Sequence, residues 1–335
     1  MLASGGATEA WHAKVVCRHC GAQPVIVLIG GNGFIGRHTT FMAERTGVPV
    51  TVVDFAPDLP MLEKHAPGAV AMTAVDFGGE RGDELIARAD AVVYLATNSV
   101  PQTFAVEPWL EVSENVVPAF RVFGRISEIN PKARIVLLSS GGTVYGAQDR
   151  PLIPETAKLA PISPYGLGKV MIEQALEFYG NTGGQRYAIL RASNPVGCWH
   201  RNLKQGLVMA VLRALQPGGE LQVYGDGSNV RDYIDADDLA DAIIRVCMDQ
   251  THAGGVWNVG SGSGHSILDI IDVVSSVSGR RPVVRFHDDR GFDVKRIVLA
   301  ADKIRRDFGW SATTPLVESI QKILNAGVIQ GFEAP

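Results

Sequence analysis

Cysteine is scarce in this chain: four in 335 residues, Cys17, Cys20, Cys198 and Cys247. That is too few for a disulfide framework and suits a reducing, cytoplasmic setting. Cys17 and Cys20 form a single C-x-x-C, whereas zinc wants four ligands. His12 and His19 stand nearby but no second spaced pair exists, so two thiols in an N-terminal extension are the preferred reading, and no metal site is expected. Long apolar runs are also missing. None reaches the ~20 residues that a membrane helix needs, and Trp11, His12, Lys14, Arg18 and His19 break up any signal-peptide core in residues 1–23. That segment reads as an extension expected to be poorly ordered. Positive charge has no excess either: 31 Lys and Arg against 35 Asp and Glu, with no basic run. Nucleic acid and an anionic membrane surface are therefore not expected partners. What is present is 46% hydrophobic residues with only 20% charged ones, enough for a sizeable packed core.

Short apolar runs rich in β-branched residues recur along the first half: Pro24–Ile29, Val48–Phe55, Val70–Phe77, Ala91–Ala96, Ala133–Leu138 and Tyr187–Arg191. Helical stretches separate them, among them Phe34–Arg45, Pro118–Glu128 and Lys169–Tyr179. Strands alternating with helices predict a doubly wound parallel sheet covered on both faces. After about Pro195 the segments shorten and glycine and proline increase, with helices expected at Asp238–Asp249 and Ile267–Ser278. The expected division is a nucleotide-binding domain at 24–195 with about 231–262, and a smaller α/β substrate-binding part at about 196–230 and 263–335.

Between the first strand and first helix lies Gly30-Gly31-Asn32-Gly33-Phe34-Ile35-Gly36. Gly30 permits a tight turn, Gly33 lets backbone approach a pyrophosphate, and Gly36 lets the helix pack on the sheet. The phosphates would sit at the helix N-terminus. A glycine triplet alone is a weak signal. Here a strand precedes it, a helix follows, and Asp54 closes the next strand 18 residues after Gly36, near the usual ~20. A carboxylate there accepts both ribose hydroxyls and repels a 2′-phosphate, which favours NAD over NADP. Arg37 and His38 would soften that preference if they reached the ribose. The fold is thus a Rossmann-type one.

Downstream, Tyr165 and Lys169 stand at i and i+4, one turn apart on one helix face. A free tyrosine ionises near ~10. A neighbouring ammonium is expected to lower that value, so that the phenol takes a proton from a sugar hydroxyl as hydride is removed.

These residues carry a resemblance. With GGNGFIG (30–36), Asp54, VDF (75–77), YLAT (94–97), SSGGTVYG (139–146), SPYGLGK (163–169), LRASNPVG (190–197), VYGDGSNVRDYIDADDLADA (223–242), WNVGSGSGHSI (257–267) and the R-x-x-D at 290–293, the chain resembles the extended short-chain dehydrogenase/reductase family from about Val25 to about Leu324. Within it, the closest likeness is to the NAD-dependent epimerase/dehydratase group typified by UDP-galactose 4-epimerase. The resemblance implies Tyr165 as base and Lys169 as its partner. It implies pyrophosphate contacts from Phe34 and Ile35, an adenine border of Asp76 and Phe77, and a nicotinamide side of Leu95, Ala96 and Thr97, with Asn115 near the cofactor. It further implies substrate contacts from Asn194, Tyr224, Arg231 and Arg290. For Arg231 an ion pair with Asp232, Asp235, Asp237 or Asp238 is the alternative. The family's usual homodimer would pair helices at about Pro108–Ile126 and Tyr165–Tyr179. Val112, Val116, Phe120, Phe123, Met171 and Leu176 fit either that seam or packing on the sheet.

Two departures bear on the reaction. The family's third catalytic hydroxyl, from Ser or Thr, falls here on Gly141, so Thr143 or Ser140 must supply it, and Thr143 is preferred. Near Gln205-Gly206 an expected asparagine is missing, and Trp199 and His200 either stack on the ligand or plug a domain boundary. Gly142-Thr143 stands where 4,6-dehydratases carry Asp-Glu, which disfavours elimination. The expected reaction is 4-epimerisation of a nucleotide sugar, with UDP the expected nucleotide. A 4-keto-sugar reductase comes second, and a non-catalytic NAD-binding protein third.

Overall fold

The computed structural model describes residues 24–101, 103–200, 206–291 and 294–327. The first apolar run forms β1 (Ile26–Ile29), buried throughout because helices cover both faces of its sheet. The helix α1 (Phe34–Thr46) follows and ends at Gly47 in the left-handed conformation. β2 (Val50–Asp54) and β3 (Val70–Thr73) come next. The third strand stops at Thr73 rather than Phe77. The Thr73 hydroxyl accepts the Asp76 N–H at 3.1 Å and caps a one-turn helix, Ala74–Phe77. Beyond α2 (Glu80–Arg88) and β4 (Ala91–Tyr94), the helical stretch expected at Pro118–Glu128 is longer. It begins at Trp109, passes through a π-helical turn at Val112–Val116, and continues as α3 (Val117–Ile129). The first half closes with β5 (Arg134–Ser140), α4 (Pro164–Gly183) and β6 (Tyr187–Ala192).

After β6 come β7 (Asn194–Val196), α5 (Leu207–Ala214), β8 (Glu220–Tyr224), β9 (Val230–Asp235), α6 (Ala236–Met248), β10 (Val256–Val259), β11 (Gly264–Ser266), α7 (Ile267–Ser278), β12 (Val283–His287), β13 (Arg296–Ile297), α8 (Asp302–Phe308) and α9 (Leu316–Asn325). Seven strands form one parallel sheet in the order β10-β6-β5-β4-β1-β2-β3. The chain leaves β1 toward β2 on one side and later returns to β4 on the other. The crevice between the ends of β1 and β4 is thus the switch point where such sheets bind ligands.

Each sheet face has its own core. Leu239, Ile243 and Trp257 pack with β1 and β2 residues on one face, and Leu85, Phe123, Ile126 and Leu176 fill the other. A third core, around Leu212, Ile271 and Ile323, lies beneath the smaller sheets. The two units interleave more than the sequence division implies. β9, expected with the nucleotide half, pairs with β7, β11 and β13 in the small sheet. Ile304 and Trp310, expected with the substrate part, pack into the core under α1 and α6. The C-x-x-C pair with His12 and His19, together with Gln205 and Asp293, lies outside the described residues.

The helix α4 is tied to the sheet by a buried ion pair. Arg191 on β6 donates to Glu173 through NH2 at 2.7 Å and through Nε at 3.1 Å, and both side chains are almost wholly buried. Removing one partner of such a pair leaves a buried charge uncompensated. We expect Arg191→Met to destabilise the fold by about 3–5 kcal/mol, measured by urea denaturation. A loss within experimental error would show that the pair is dispensable.

Candidate functional site

The turn after β1 is built from close backbone approach. Gly30 has φ +82, and a Cβ there would fall 2.7 Å from the Ala96 nitrogen at the end of β4. At Gly36 a Cβ would meet the Gly31 backbone at 2.4–2.5 Å, so only glycine lets α1 sit this close to the turn. Gly33 is different: its added Cβ would touch only the Gly30 oxygen, at 3.2 Å. Gly33 is also the N-cap of α1 and supplies no side-chain cap. The first N–H groups of α1, at Phe34 and Ile35, are therefore left as a backbone cradle of positive polarity, which suits a pyrophosphate.

Asp54 ends β2 beside this turn. Its Oδ2 accepts the Asn32 N–H at 3.0 Å and its Oδ1 the Phe55 N–H at 2.8 Å, which aims the carboxylate along the turn. Arg37 braces the same loop. Fully buried, it donates to the Asn32 carbonyl at 2.9 Å and pairs with Asp58 at 2.9 Å. His38 turns away to Asp237, 2.6 Å off. These two side chains hold loops and helices together around Asp54. Asp76 accepts the Thr73 hydroxyl at 2.8 Å, and Phe77 is buried in the core. Leu95 and Ala96 form the wall against Gly30, with Thr97 next to them. Buried Asn115 props the loop beyond: it accepts from the Asn98 N–H at 2.8 Å and donates to the Ser99 hydroxyl at 3.1 Å.

The sequence-predicted pair lies on α4, whose first turn is set by Ser163 accepting the Gly166 N–H at 3.1 Å and by Pro164. Tyr165 falls in that first turn and Lys169 one turn later. The Lys169 ammonium donates to the Leu138 carbonyl on β5 at 3.3 Å and stands 5.6 Å from the Tyr165 ring centre. The expected lowering of the phenol is not found in the protein alone. Burial, with the Glu111 charge added, pushes Tyr165 up to about 12, while the Ser140 hydroxyl pulls it the other way. Burial also brings Lys169 down to about 8, against the opposing pull of Glu111 and Glu173.

Of the two hydroxyls weighed for the third position, Ser140 is the one beside the phenol. Thr143 donates to the Ser140 carbonyl at 3.3 Å, within its own turn. A side chain at Gly141, where the family usually has one, would have to displace Leu299. A Cβ there would meet Leu299 at 2.6 Å and the Arg191 carbonyl at 3.2 Å.

The substrate candidates gather from the second half. The Asn194 amide donates to the Asp232 carbonyl at 2.8 Å and lies near Gly142 of the catalytic turn. Arg290 lies 3.6 Å over the Tyr224 ring, and His287 stacks on that same ring. Arg231, on β9, donates to the Val230 carbonyl at 2.9 Å. The four carboxylates near it in sequence bond elsewhere: Asp232 to Ser261 and Leu299, Asp235 to Ser319, Asp237 to His38, Asp238 to Thr313 and Thr314. Trp199 packs edge-on against Phe41 and His65, and His200 against Phe34, so this segment plugs the boundary around α1.

Two polar groups near the site were given no place in it from sequence, where Asp232 stood only as a possible partner of Arg231. Asp232 is buried and accepts from Ser261, Gly262 and Leu299, locking three segments under the catalytic turn. Glu111 is buried against α4. The available signal for it was its spacing of four from Asn115, which a helix places on one face. Among the described residues, no helix is long and apolar enough to cross a membrane.

Comparison with known proteins accords with this geometry. The family model described as the NAD dependent epimerase/dehydratase family matches residues 26–260. The UDP-glucose 4-epimerase of Azospirillum brasilense is 31% identical over 312 residues, covering 86% of this chain and 87% of that one. A dTDP-4-dehydro-6-deoxyglucose reductase of Escherichia coli is 29% identical, covering 90% and 96%. The solved UDP-glucose-4-epimerase of Stenotrophomonas maltophila, which holds NAD and formylated UDP-arabinopyranose, aligns with a TM-score of 0.81 at 27% identity, over 91% of this chain and 98% of that one. With most of its sheet, its glycine turn and its Tyr-Lys helix inside the matched stretch, the chain belongs to the NAD dependent epimerase/dehydratase family.

Proposed function

We propose that this protein is an NAD-dependent nucleotide-sugar epimerase. It inverts C4 of a UDP-hexose or UDP-N-acetylhexosamine through a transient 4-keto sugar. The observation that carries this reading is the joint placement of Tyr165, Lys169 and the Ser140 hydroxyl beside the switch-point crevice, where the uncapped end of α1 and the Asp54 carboxylate lie. The cradle fits NAD: uncapped N–H groups meet a pyrophosphate, and a carboxylate meets the adenosine ribose. Bound there, NAD would supply the hydride acceptor and donor.

The protein's own groups handle the proton. Tyr165 takes it from the sugar 4-hydroxyl and returns it after the ring has turned over. Lys169, held on the Leu138 carbonyl, supplies the positive charge that favours the phenolate, and Ser140 donates to the reacting oxygen. Because hydride and proton both return, the reaction is redox-neutral and a retained cofactor suffices. Gly142-Thr143 presents no acid to expel water, in accord with epimerisation rather than dehydration. Arg231 and Arg290 bind the substrate diphosphate, which suits guanidinium geometry, with Asn194 at its inner end and Tyr224 beside Arg290. The sparse cysteines fit a cytoplasmic enzyme.

The same reading includes a homodimer. Of the six apolar residues named for the helix pair, Val112, Val116, Phe123, Met171 and Leu176 pack on the sheet. The outward set is Val117, Phe120, Leu167 and Phe178, each at least 39% exposed, and it forms an apolar face across α3 and α4.

Incubation with UDP-glucose, UDP-N-acetylglucosamine or UDP-glucuronate, without added cofactor, should yield a C4 epimer resolvable by anion exchange and NMR. Tyr165→Phe should lower kcat by about 10²–10⁴-fold. Absence of any epimer, together with NADH- or NADPH-dependent reduction of a 4-keto sugar, would establish the reductase instead. Ser140→Ala should cost about tenfold in kcat, the worth of one hydrogen bond, while Thr143→Ala changes it little. The reverse ranking would return the third role to Thr143. In sedimentation the protein should run as a dimer, and Phe120→Asp with Phe178→Asp should make it monomeric. A monomeric wild-type protein would refute the seam.

A further inference from the structure

Glu111 lies at the end of the helical turn that opens into the π segment. It is 2% exposed, and neither carboxylate oxygen has a hydrogen-bond partner. Its side chain lies flat on α4. A Cβ on Gly168 would fall 2.5 Å from the Glu111 Cγ and 2.6 Å from its Oε1. Gly168 is therefore the gap in α4 that admits this carboxylate, and it sits between Tyr165 and Lys169 in the chain. Burying a carboxylate with neither hydrogen bond nor cation is costly.

The charged and titratable groups around Lys169 and Glu111 can be accounted for element by element. On α4 they are Tyr165, Lys169 and Glu173. Glu173 is already spent: it accepts from Arg191 on β6 at 2.7 Å and from the Ser139 hydroxyl on β5. β5 otherwise offers only the Ser140 hydroxyl and the Leu138 carbonyl. The π segment adds Asn115, which is occupied with Asn98 and Ser99, and Glu114, which is exposed. Lys169 follows Gly168 on α4, so Glu111 lies beside it without an ion pair, and of the two carboxylates whose charge acts on Lys169 it is the one not engaged by Arg191.

We propose that Glu111 is a positioning residue for the Tyr165–Lys169 pair, a buried counter-charge that keeps Lys169 an ammonium against its apolar surroundings. The role of that ammonium rests on the catalytic reading above. The negative charge acts on Tyr165 as well and opposes its phenolate. It therefore adds to burial, the larger cause, in keeping the phenol protonated. Both effects have the same sign: removing the charge must lower the midpoints of Lys169 and Tyr165 together.

The test uses full-length protein free of cofactor, with lysine ¹⁵N labelled and the Lys169 signal identified by its loss in Lys169→Met. In the wild type Lys169 should lose its proton near pH 8. Glu111→Gln keeps the shape and removes the charge, and it should lower that midpoint by on the order of one pH unit. The alkaline limb of kcat in the loaded enzyme should follow it, and Glu111→Asp should return the midpoint most of the way. If Glu111→Gln does not fold, Gly168→Ala, whose methyl displaces the carboxylate, must move the midpoint in the same direction. An unmoved Lys169 midpoint in the folded variant overturns the proposal, even if kcat falls. If instead Tyr165→Phe and Lys169→Met keep full turnover, the catalytic reading fails, and the NMR midpoint still decides the counter-charge on its own.

Discussion

The site depends on one buried interaction, the Arg191–Glu173 pair between β6 and α4. Arg191 is held protonated by Glu173 despite burial. It also donates to the Tyr145 hydroxyl at 3.0 Å, and that hydroxyl donates to Asn258 on β10 at 2.7 Å. Asn258 in turn donates to the Ile153 carbonyl at 2.8 Å, and its N–H goes to Glu155 at 2.9 Å. One connected network thus joins α4, two sheet strands and the loop after β5. In a low-dielectric interior such a network tolerates few alternative arrangements, because each broken bond leaves a buried polar group unsatisfied. That stiffness sets the rotation of α4, and with it the directions of Tyr165 and Lys169, which stand two turns and one turn before Glu173.

Around this anchor, glycine sets distance. Gly30 and Gly36 bring backbone to within van der Waals limits on the cofactor side. Gly168 does the same for Glu111, and Gly141 for Leu299. The last contact has a chemical consequence. Leu299, brought in next to β13 and held by its N–H on Asp232, occupies the space into which a side chain at 141 would grow. The space beside position 141 is thus filled, and the neighbouring hydroxyl in the chain is that of Ser140.

The protein's own groups set the charges of the pair. Burial raises the phenol and lowers the ammonium, and Glu111 works with burial on the first and against it on the second. The cradle at α1 and the Asp54 carboxylate lie on the side of the crevice from which a ligand would be held.

Much of this was legible in the residues themselves. Period and composition located the first six strands of the large sheet. The glycine spacing with Asp54 located the crevice, and Ser-Pro before Tyr165 located the start of its helix. These are local properties: burial on both faces demands continuous apolar strands, and caps and tight turns demand particular side chains. The interleaving of the two units was not local. β9 reads like any short apolar strand, and only its partners show that it belongs to the small sheet. Nothing local marks Glu111 or Asp232 as buried, and their burial comes from segments more than 25 residues away, Gly168 and Leu299 among them. The crowding at Gly141 arises the same way, from Leu299 and the Arg191 carbonyl. The sequence by itself therefore determined the sheet, the nucleotide cradle and the Tyr-Lys pair, because each is written within a few residues. Tertiary structure alone decided the tuning of that pair, because burial and charge act through space, between residues whose separation along the chain carries no record of it.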